Sequence, residues 1–304
     1  MNVPETLATT LETRIEVRRA EMLSRHTTFG IGGPADLFAT VRNADELSFA
    51  VRATNEAGVP LFVLGSGSNI LVADGGIRGV VIDNRARSER SVAAHTFEVE
   101  SGTSFAAFSR RMCRAGLAGL SWAVGIPGTF GGAVVYNAGA YGGCLADVLQ
   151  RVELQDSTGA ARWHEAEELG LVYRGSAFTR GLFADKAVLR AEIALSPGEP
   201  SALLAEATDH DRKRLSAQPR GRNAGSMFKN PPQSPAWKMI DAVGMRGASR
   251  GDAAISDVHC NFFVNYGNAM ASDVAWLVAE SERRVIDQFG VSLEREVAFV
   301  GEWE

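Results

Sequence analysis

The stretch that decides the fold runs from residue 125 to residue 143 and reads GIPGTFGGAVVYNAGAYGG. Seven of its nineteen residues are glycine, which is more than ordinary turns need. Glycine costs about 0.5–1 kcal/mol inside a helix or strand, so a cluster of this kind marks a backbone with positive φ or a close approach to a ligand. A ligand-lining loop is favoured, and an irregular structural loop is the alternative, since tight packing of a strand against a helix also requires glycine.

A second glycine-rich loop, LGSGSN at residues 64–69, directly follows the run 59–64, which reads as a buried strand. The loop offers successive backbone N–H groups and the hydroxyls of Ser66 and Ser68, and these groups suit a pyrophosphate. Its spacing matches neither the G-x-G-x-x-G turn nor the P-loop. The two loops together therefore suggest a dinucleotide held outside the two common nucleotide-binding folds.

Around the second loop the pattern alternates between strand and helix. Residues 35–41 and 79–83 read as strands. Asn43 followed by Glu46 is typical of a helix N-terminus, in which the asparagine caps the helix and the glutamate side chain reaches back to the backbone at the cap. This part of the chain is therefore expected to be a small βαβ-containing unit.

Residues 95–195 read mostly as short strands, interrupted by one helix at 104–115. The turn cluster Ser196–Pro200 is the expected domain boundary. Beyond it we expect a helix over 201–216, an amphipathic helix over 272–289 and a final strand over 295–300. The predicted fold class is α+β.

Composition and charge exclude several functions. Of 304 residues, 45% are hydrophobic and 22% are charged, as in globular proteins, and the net charge of −5 offers no positive field for nucleic acid. Three scattered cysteines fit a reducing cytoplasm and not a disulfide framework, and no cluster has metal-ligand spacing. No export signal and no membrane span are expected, because no apolar run reaches the required length. We expect a cytoplasmic protein without metal.

Six ordered motifs carry a resemblance to a known family: HTTFGIGGPADLF (26–38), LGSGSNILVADGG (64–76), GIPGTFGGAVVYNAGAYG (125–142), YRGSAF (173–178), GSMFKNP (225–231) and ISDVHCNFFVN (255–265). The chain resembles the UDP-N-acetylenolpyruvoylglucosamine reductases, flavoenzymes of bacterial peptidoglycan precursor synthesis. The resemblance covers about residues 26–301. It implies an N-terminal helical segment over 1–32, an FAD-binding domain of the vanillyl-alcohol-oxidase (PCMH) type in two subdomains over 33–198, and a smaller α+β substrate-binding domain over 199–304.

The resemblance also implies two cofactors, FAD and NADPH. The residues expected along FAD are those of the two glycine loops: Gly65, Ser66, Gly67, Ser68, Asn69, Gly125, Ile126, Pro127, Gly128, Thr129, Gly131, Gly132, Asn137, Gly139 and Ala140. No histidine or cysteine lies inside these loops, so non-covalent binding is expected.

The implied reaction reduces an enolpyruvyl double bond of a UDP-sugar. Hydride addition builds negative charge on the neighbouring carbon and the carboxylate, so the site needs a cation or hydrogen-bond donor and a general acid. Three residues match the family's catalytic positions: Arg174, whose planar fork suits a carboxylate, Ser226, a hydroxyl donor, and Glu296. Glu294 lies two residues before Glu296, so the residues alone leave the choice between them open, and the register of the motif favours Glu296.

The substrate-binding positions that the resemblance implies are Tyr173, Lys229, Asn230 and His259. The segment from Arg212 to Lys229 is the densest positive run, which suits the phosphates of UDP-sugar and NADPH, although a solvated helix end explains Arg212–Arg214 equally well.

Two departures from the family pattern are Gly30, where Lys or Arg is usual, and Cys260, where Ala is usual. Only 51 residues separate Arg174 from Ser226, which corresponds to the short form of the family that lacks a tyrosine lid loop.

Two other functions stay open at this point. One is a different flavin oxidase or dehydrogenase of the same FAD-binding superfamily, although GSMFKNP and the run Glu294–Val297 would have no role in a generic oxidase. The other is a nucleotide-binding module without activity. The expected partners are UDP-sugar and NADPH, and the expected assembly is a monomer.

Overall fold

The computed structural model describes residues 3–303. Over these residues the chain forms seven α-helices: α1 (Glu5–Glu12), α2 (Ala44–Glu56), α3 (Phe105–Arg114), α4 (Phe130–Tyr136), α5 (Pro200–Ala217), α6 (Ala236–Ala242) and α7 (Ala271–Phe289).

The strands of the described residues are short. They are β1 (Glu16–Met22), β2 (Pro34–Val41), β3 (Leu61–Leu64), β4 (Ile70–Val72), β5 (Ile77–Asn84), β6 (Glu89–Ala93), β7 (Thr96–Glu100), β8 (Leu117–Ala118), β9 (Gly139–Ala140), β10 (Gly143–Cys144), β11 (Leu149–Gln155), β12 (Ala161–Glu165), β13 (Ala187–Ala194), β14 (Ser196–Pro197), β15 (Ser249–Arg250), β16 (Ala253–Ile255), β17 (Phe263–Asn265) and β18 (Ala298–Val300). The α+β class expected from the sequence is confirmed.

Contacts divide the chain into two units. The first comprises the chain up to Arg19, Leu37–Gly65 and Gly79–Arg214. The second comprises Ala20–Asp36, Ser66–Arg78 and the chain from Leu215 onward. The domain boundaries expected after residues 32 and 198 stay a prediction.

The first unit is built on two sheets. One has the strand order β1-β2-β5-β3, with β3 and β5 parallel and Leu61 opposite Val80. The other is five-stranded and antiparallel, with the order β12-β11-β13-β7-β6. The segment over 1–32 is predicted to be helical, but within its described residues, 3–32, only Glu5–Glu12 forms an α-helix, because β1 pairs in a sheet.

Helix starts in the first unit follow from their capping residues. Asn43 Oδ1 accepts a hydrogen bond from the Glu46 N–H at 2.8 Å, and Glu46 Oε2 accepts one from the Arg42 N–H at 2.7 Å, which confirms the predicted start of α2. Ser104 caps α3 in the same way, through a 3.4 Å bond from the Ala107 N–H. Side-chain oxygens thus satisfy backbone N–H groups that the helix itself cannot pair.

The glycine-rich stretch is anchored by α4, which lies in its centre. Phe130 is fully buried, and its ring meets those of Phe105 and Phe108 edge to face, with centroids 5.1 Å apart in both pairs. At the other end Asn137 closes α4 in the left-handed conformation, with φ at 42°. One face of the stretch is therefore part of the core of the first unit.

The second unit packs α6 and α7 against short strands. The buried positions Val274, Leu277, Val278, Ser281 and Val285 follow the helical period along α7. The Asp74 carboxylate binds the N-terminus of α7, where it accepts hydrogen bonds from the N–H groups of Ala271 and Ser272 at 2.7 and 3.0 Å. β4 and β18 pair in parallel, and β15, β16 and β17 form an antiparallel sheet.

Other predicted elements agree with the structure to within a few residues. α5 spans Pro200–Ala217 and α7 spans Ala271–Phe289, close to the predicted ranges 201–216 and 272–289. The predicted final strand over 295–300 is shorter, because only Ala298–Val300 pairs with β4. Among the described residues, none of the helices combines the length and the apolar character that crossing a membrane requires.

Candidate active site

The serine strip, residues 226–229 of the second unit, is paired on both sides. On one side the Met227 N–H donates to the Asn261 carbonyl at 2.8 Å, and Ser226 forms a bridge with Phe262. On the other side the Glu296 N–H donates to the Met227 carbonyl at 2.8 Å. Two predicted catalytic residues that are 70 positions apart in sequence, Ser226 and Glu296, therefore lie on neighbouring segments of chain.

The neighbourhood of Glu296 includes a residue of the LGSGSN loop. Asn69 donates from Nδ2 to the Glu296 carbonyl at 3.1 Å, and its own carbonyl accepts the Ala298 N–H at 3.0 Å. The structure therefore brings Asn69, predicted beside FAD, together with the backbone of the segment that carries Glu296.

The structure also separates the two candidate glutamates. Glu294 is 72% exposed, and its carboxylate binds the Lys229 ammonium at 2.6 Å. Glu296 is partly buried. A partly enclosed carboxyl group suits contact with a substrate better than a solvated one, which supports the motif register that favours Glu296. Lys229 meets a carboxylate of its own chain, and its role toward substrate stays a prediction.

Two further predicted substrate residues have structural contacts in the second unit. Asn230 is exposed, and its Oδ1 accepts the Ala236 N–H at the start of α6, at 3.1 Å. The ring of His259 lies 5.0 Å from that of Phe262 and 5.9 Å from that of Trp237. Burial lowers the pKa of His259, and its Nδ1 accepts the Asn261 N–H at 3.3 Å, so the neutral ring carries its proton on Nε2.

The arginine loop, Val172–Gly175 of the first unit, is a tight turn. The Val172 N–H donates to the Gly175 carbonyl at 2.9 Å, and the Gly175 N–H donates to the Val172 carbonyl at 3.2 Å. Arg174 itself has φ at 52°, in the left-handed region that a non-glycine residue seldom adopts. Tyr173 is 61% exposed, and the Arg174 guanidinium carbon lies 5.6 Å from its ring centroid.

The arginine loop is tied to α4. Asn137 donates from Nδ2 to the Val172 carbonyl at 3.0 Å and accepts the Ala146 N–H on Oδ1 at 3.1 Å. Ser176 Oγ donates to the Val135 carbonyl at 2.6 Å. Because both polar atoms of the buried Asn137 side chain bind the protein backbone, the structure gives this predicted FAD residue a positioning role for the loop that carries Arg174.

Arg214 is a functional candidate that the sequence alone did not single out. Arg212 and Lys213 both bind Asp209, as a solvated helix end would, whereas Arg214 is partly buried. Burial lowers the pKa of Arg214, and the nearby positive charge of Arg174 acts in the same direction, while Tyr141 and Asp211 oppose this shift. In the described part of the chain, the Arg214 guanidinium forms no hydrogen bond and no close ion pair, although the Asp211 carboxylate, which pairs with Arg110, lies near enough to act on its charge. Two neighbouring guanidinium groups form a natural site for an anion.

One signal in the sequence could have found Arg214. The buried positions Leu203 and Ala207 of α5 continue, at the spacing of a helix face, to Arg214, so the cation lies on the apolar side of the helix. Gly125 lies against this side of α5, since a Cβ there would lie 2.6 Å from Asp211 Oδ1 and 3.2 Å from Arg214 Cδ.

Several glycines of the two loops are required by packing. A Cβ on Gly67, where φ is 62°, would lie 2.3 Å from the His26 carbonyl oxygen, and a Cβ on Gly143 would lie 2.4 Å from the Trp122 ring. Gly65 is similar, since a Cβ there would lie 2.6 Å from Thr129 Oγ1. The two loops therefore approach each other closely at this point of the first unit. These positions support the structural alternative for glycine.

Other positions fit a bound pyrophosphate. Gly132 lies in the first turn of α4, and a Cβ there would meet nothing closer than Thr129 Oγ1 at 3.9 Å. In the chain that the structure describes, the N–H groups of Gly128 and Thr129 find no acceptor. Unpaired backbone donors beside an uncovered glycine suit the phosphates of a dinucleotide. The loop therefore combines glycines that serve packing with donors that can hold FAD.

Comparisons with known proteins identify the family of the chain. A model described as FAD binding domain matches residues 35–164, and one described as UDP-N-acetylenolpyruvoylglucosamine reductase, C-terminal domain, matches residues 217–300. The UDP-N-acetylenolpyruvoylglucosamine reductase of Moorella thermoacetica is 39% identical over 95% of both chains, and that of Heliobacterium modesticaldum is 41% identical over 93% of this chain and 90% of its own.

A solved structure shows the same fold. The crystal structure of UDP-N-acetylenolpyruvylglucosamine reductase (MurB) from Thermus caldophilus has a TM-score of 0.79 and 37% identity, covering 94% of this chain and 98% of its own. Taken together with the two glycine loops and the serine strip, these matches confirm the resemblance seen in the six motifs: the chain belongs to the UDP-N-acetylenolpyruvoylglucosamine reductase family and carries that family's FAD-binding and C-terminal domains.

Proposed function

We propose that this flavoenzyme uses NADPH to reduce the enolpyruvyl group of UDP-N-acetylglucosamine enolpyruvate to UDP-N-acetylmuramate, with Arg174, Ser226 and Glu296 as its catalytic residues. The observation that carries the proposal is the pairing of the serine strip, which places a small hydroxyl group and a partly buried carboxyl group on adjacent segments of chain. The names of the relatives support the choice of substrate.

FAD supplies hydride transfer when it is bound, and the free N–H groups of Gly128 and Thr129 suit its pyrophosphate. The two loops contain no histidine or cysteine, which supports non-covalent binding. Gly132, with open space beside its Cα, allows a close approach of the cofactor to the backbone.

Ser226 is proposed as the general acid. Once hydride reaches the terminal carbon of the enolpyruvyl group, negative charge spreads over the neighbouring carbon and the carboxylate, and that carbon must receive a proton. Serine is a weak acid, so it serves only a strongly basic carbanion or a relay, and it must be held in place as the charge develops. Gly225, with φ at 81° and no neighbour within 4 Å of a Cβ, leaves room for a substrate beside the hydroxyl group.

Arg174 and Glu296 are proposed to stabilise the anionic intermediate. A guanidinium group stays charged and offers two parallel N–H donors to a carboxylate. Glu296, partly enclosed, can donate a hydrogen bond if it is protonated. Arg214 adds a second cation beside Arg174, which suits the phosphates or the carboxylate of the substrate. Tyr173, Lys229, Asn230 and His259 complete the proposed substrate contacts.

The compartment and the assembly are also proposals. Cys113 and Cys260 are buried free thiols and Cys144 is a free thiol of intermediate exposure, which supports a reducing compartment such as the cytoplasm. We infer that the enzyme works as a monomer.

Anaerobic stopped-flow absorbance separates the two half-reactions and tests the proposal. NADPH should bleach the flavin of the FAD-loaded protein, and UDP-N-acetylglucosamine enolpyruvate should then restore its colour. Bleaching without recovery on addition of that substrate would contradict the proposal and favour another flavin dehydrogenase. A protein that stays colourless after refolding with FAD would contradict any flavoenzyme.

A further inference from the structure

We propose that Asn261 is a positioning residue for proton delivery, because its side chain holds the serine strip in the register that aims the Ser226 hydroxyl group. This inference rests on the proposed role of Ser226 as general acid. Asn261 is 2% exposed and contacts the strip through its backbone and its side chain, so it acts through Ser226 and not on substrate.

The Asn261 side chain makes two hydrogen bonds to the backbone of one residue, Phe228. Its Oδ1 accepts the Phe228 N–H at 2.9 Å, and its Nδ2 donates to the Phe228 carbonyl at 2.8 Å. Its own carbonyl accepts the Met227 N–H at 2.8 Å. A carboxamide carries one donor and one acceptor at this spacing, so asparagine satisfies both groups of Phe228 as a neighbouring strand would. Water does not compete, because these atoms are buried.

Upstream of Ser226 the chain is held less directly. Ala224 is buried in the core, and the nearest hydrogen bond there from another part of the second unit comes from the Thr28 hydroxyl, which donates to the Asn223 carbonyl at 2.7 Å. Gly225 lies between that contact and the serine, with φ at 81° and open space around it. Backbone pairing with Phe262 and Glu296 holds the strip as well, and Asn261 adds the buried side-chain clamp downstream of Ser226, so the exact position of Ser226 depends on Asn261.

Displacement of a reacting group by about 1 Å can cost about 10²-fold in rate. The substitution Asn261→Asp keeps the shape and the acceptor but turns the donor into a second carboxylate oxygen that faces the Phe228 carbonyl. Burial and this repulsion raise the pKa of the introduced acid, and once protonated it again donates to Phe228. We therefore expect a defect at high pH that acidification relieves.

The experiment measures both half-reactions of the FAD-loaded protein by stopped-flow between pH 6 and pH 8.5. For Asn261→Asp at pH 8.5 we expect flavin reoxidation by UDP-N-acetylglucosamine enolpyruvate to be about 10²-fold slower than in the wild type, and reduction by NADPH to be unchanged. The defect should shrink at least several-fold at pH 6. Asn261→Ser removes both side-chain bonds and should show the same selective loss without recovery.

The matched control is Asn265→Asp. Asn265 is also buried, and it also bonds the backbone through both side-chain atoms, but to Phe29, Gly267 and Ala269 instead of the serine strip. We expect this variant to lose thermal stability without a selective loss of reoxidation. The titratable groups around Asn261 are His259, Cys260, Arg295, Glu296 and the Lys229–Glu294 pair, and their effect on the pH profile is shared by the wild type and the control.

Three outcomes overturn the proposal: equal slowing of both half-reactions in Asn261→Asp, no slowing in Asn261→Asp and Asn261→Ser, or the same selective loss in Asn265→Asp. The variant Ser226→Ala, measured in parallel, distinguishes a failure of the positioning role of Asn261 from a failure of the proposed function. If Ser226→Ala reoxidises normally, the role of Ser226 itself is wrong. If Ser226→Ala is selectively slow and the Asn261 variants are not, only the positioning role fails.

Discussion

The serine strip and the arginine loop hold their proposed catalytic side chains in opposite ways. Ser226 lies on a segment paired on both sides by backbone hydrogen bonds and clamped by a buried side chain. Arg174 lies at the tip of a turn in a left-handed conformation, beside residues that are more than half exposed. A weak acid must be held in place, whereas a long cation carries its charge at any working pH and can adapt to an anion.

The difference also appears in burial. The serine strip includes Met227 and Phe228, each about 1% exposed, while the arginine loop exposes Val172 and Tyr173 by 53% and 61%. Local opening is easier where few apolar groups are buried. We infer that the exposed tip of the arginine loop, whose base Asn137 and Ser176 anchor to α4, opens more easily than the serine strip.

The largest expected effect comes from Ser226→Ala. Removing the proposed acid should slow flavin reoxidation by the enolpyruvyl substrate about 10²–10⁴-fold and leave reduction by NADPH unchanged, since that step needs no proton at the substrate carbon. Stopped-flow absorbance of each half-reaction measures this. Equal losses in both steps would show that the substitution damages the fold instead.

The next effect comes from Arg174→Lys. The lysine keeps the charge but loses the planar fork, so reoxidation should fall about 10²–10³-fold, the range typical for loss of one donor to a developing anion. The same stopped-flow measurement applies, with NADPH reduction as internal control. A nearly normal rate in Arg174→Ala would show that this guanidinium does not act on the intermediate.

Arg214→Gln should have a smaller effect, on binding. If the buried cation contacts an anionic group of the substrate, its loss should raise KM about 10–100-fold with little change in kcat. The matched control is Arg212→Gln, two residues earlier on α5, whose side chain is 78% exposed and pairs with Asp209. Steady-state kinetics of both variants separates the two arginines, and equal KM values would argue against Arg214 as a contact.

Gly132→Ala tests which glycines serve the cofactor. Alanine is favoured over glycine inside a helix by about 0.8–1 kcal/mol, and space is open at this position, so the FAD-free protein should become more stable by about that amount. FAD affinity should fall. Gly131→Ala provides the contrast in packing, because its Cβ would lie 3.2 Å from the Ser101 Cβ and this tight contact should reduce or cancel the stabilisation expected for Gly132→Ala. Thermal unfolding with and without FAD measures both effects, and unchanged FAD affinity in Gly132→Ala would contradict a close approach.

The smallest effect concerns His259 and pH. Burial holds its pKa below the ordinary 6.5, so as pH falls through about 6.5 the unfolded chain takes up a proton before the folded chain does. His259 should therefore contribute a loss of stability on acidification. Thermal unfolding from pH 8 to pH 5 should show a shallower decline in His259→Gln than in the wild type. Parallel declines would mean that the histidine is not buried as neutral imidazole.

Much of the local structure could be predicted from the sequence. The cap at Asn43, the helices α3, α5 and α7 and the strand before LGSGSN all follow from neighbouring residues, and the structure confirms them, although only Leu64 of that strand is fully buried. The six ordered motifs predicted the family, which the comparisons confirm. The roles of Arg174, Ser226 and Glu296 stay predictions, although the structure supports the choice of Glu296 over Glu294.

The sequence by itself determined what depends on a few adjacent residues: helix caps, helical periodicity, glycine-rich turns and motif identity. Tertiary structure alone decided which glycines meet another segment, as Gly67 meets His26. It also decided that Asn261, Ser226 and Glu296 lie on adjacent segments. The physical reason is that these contacts join residues 35 to 70 positions apart, and such pairings depend on the packing of the whole unit and not on local conformational preference.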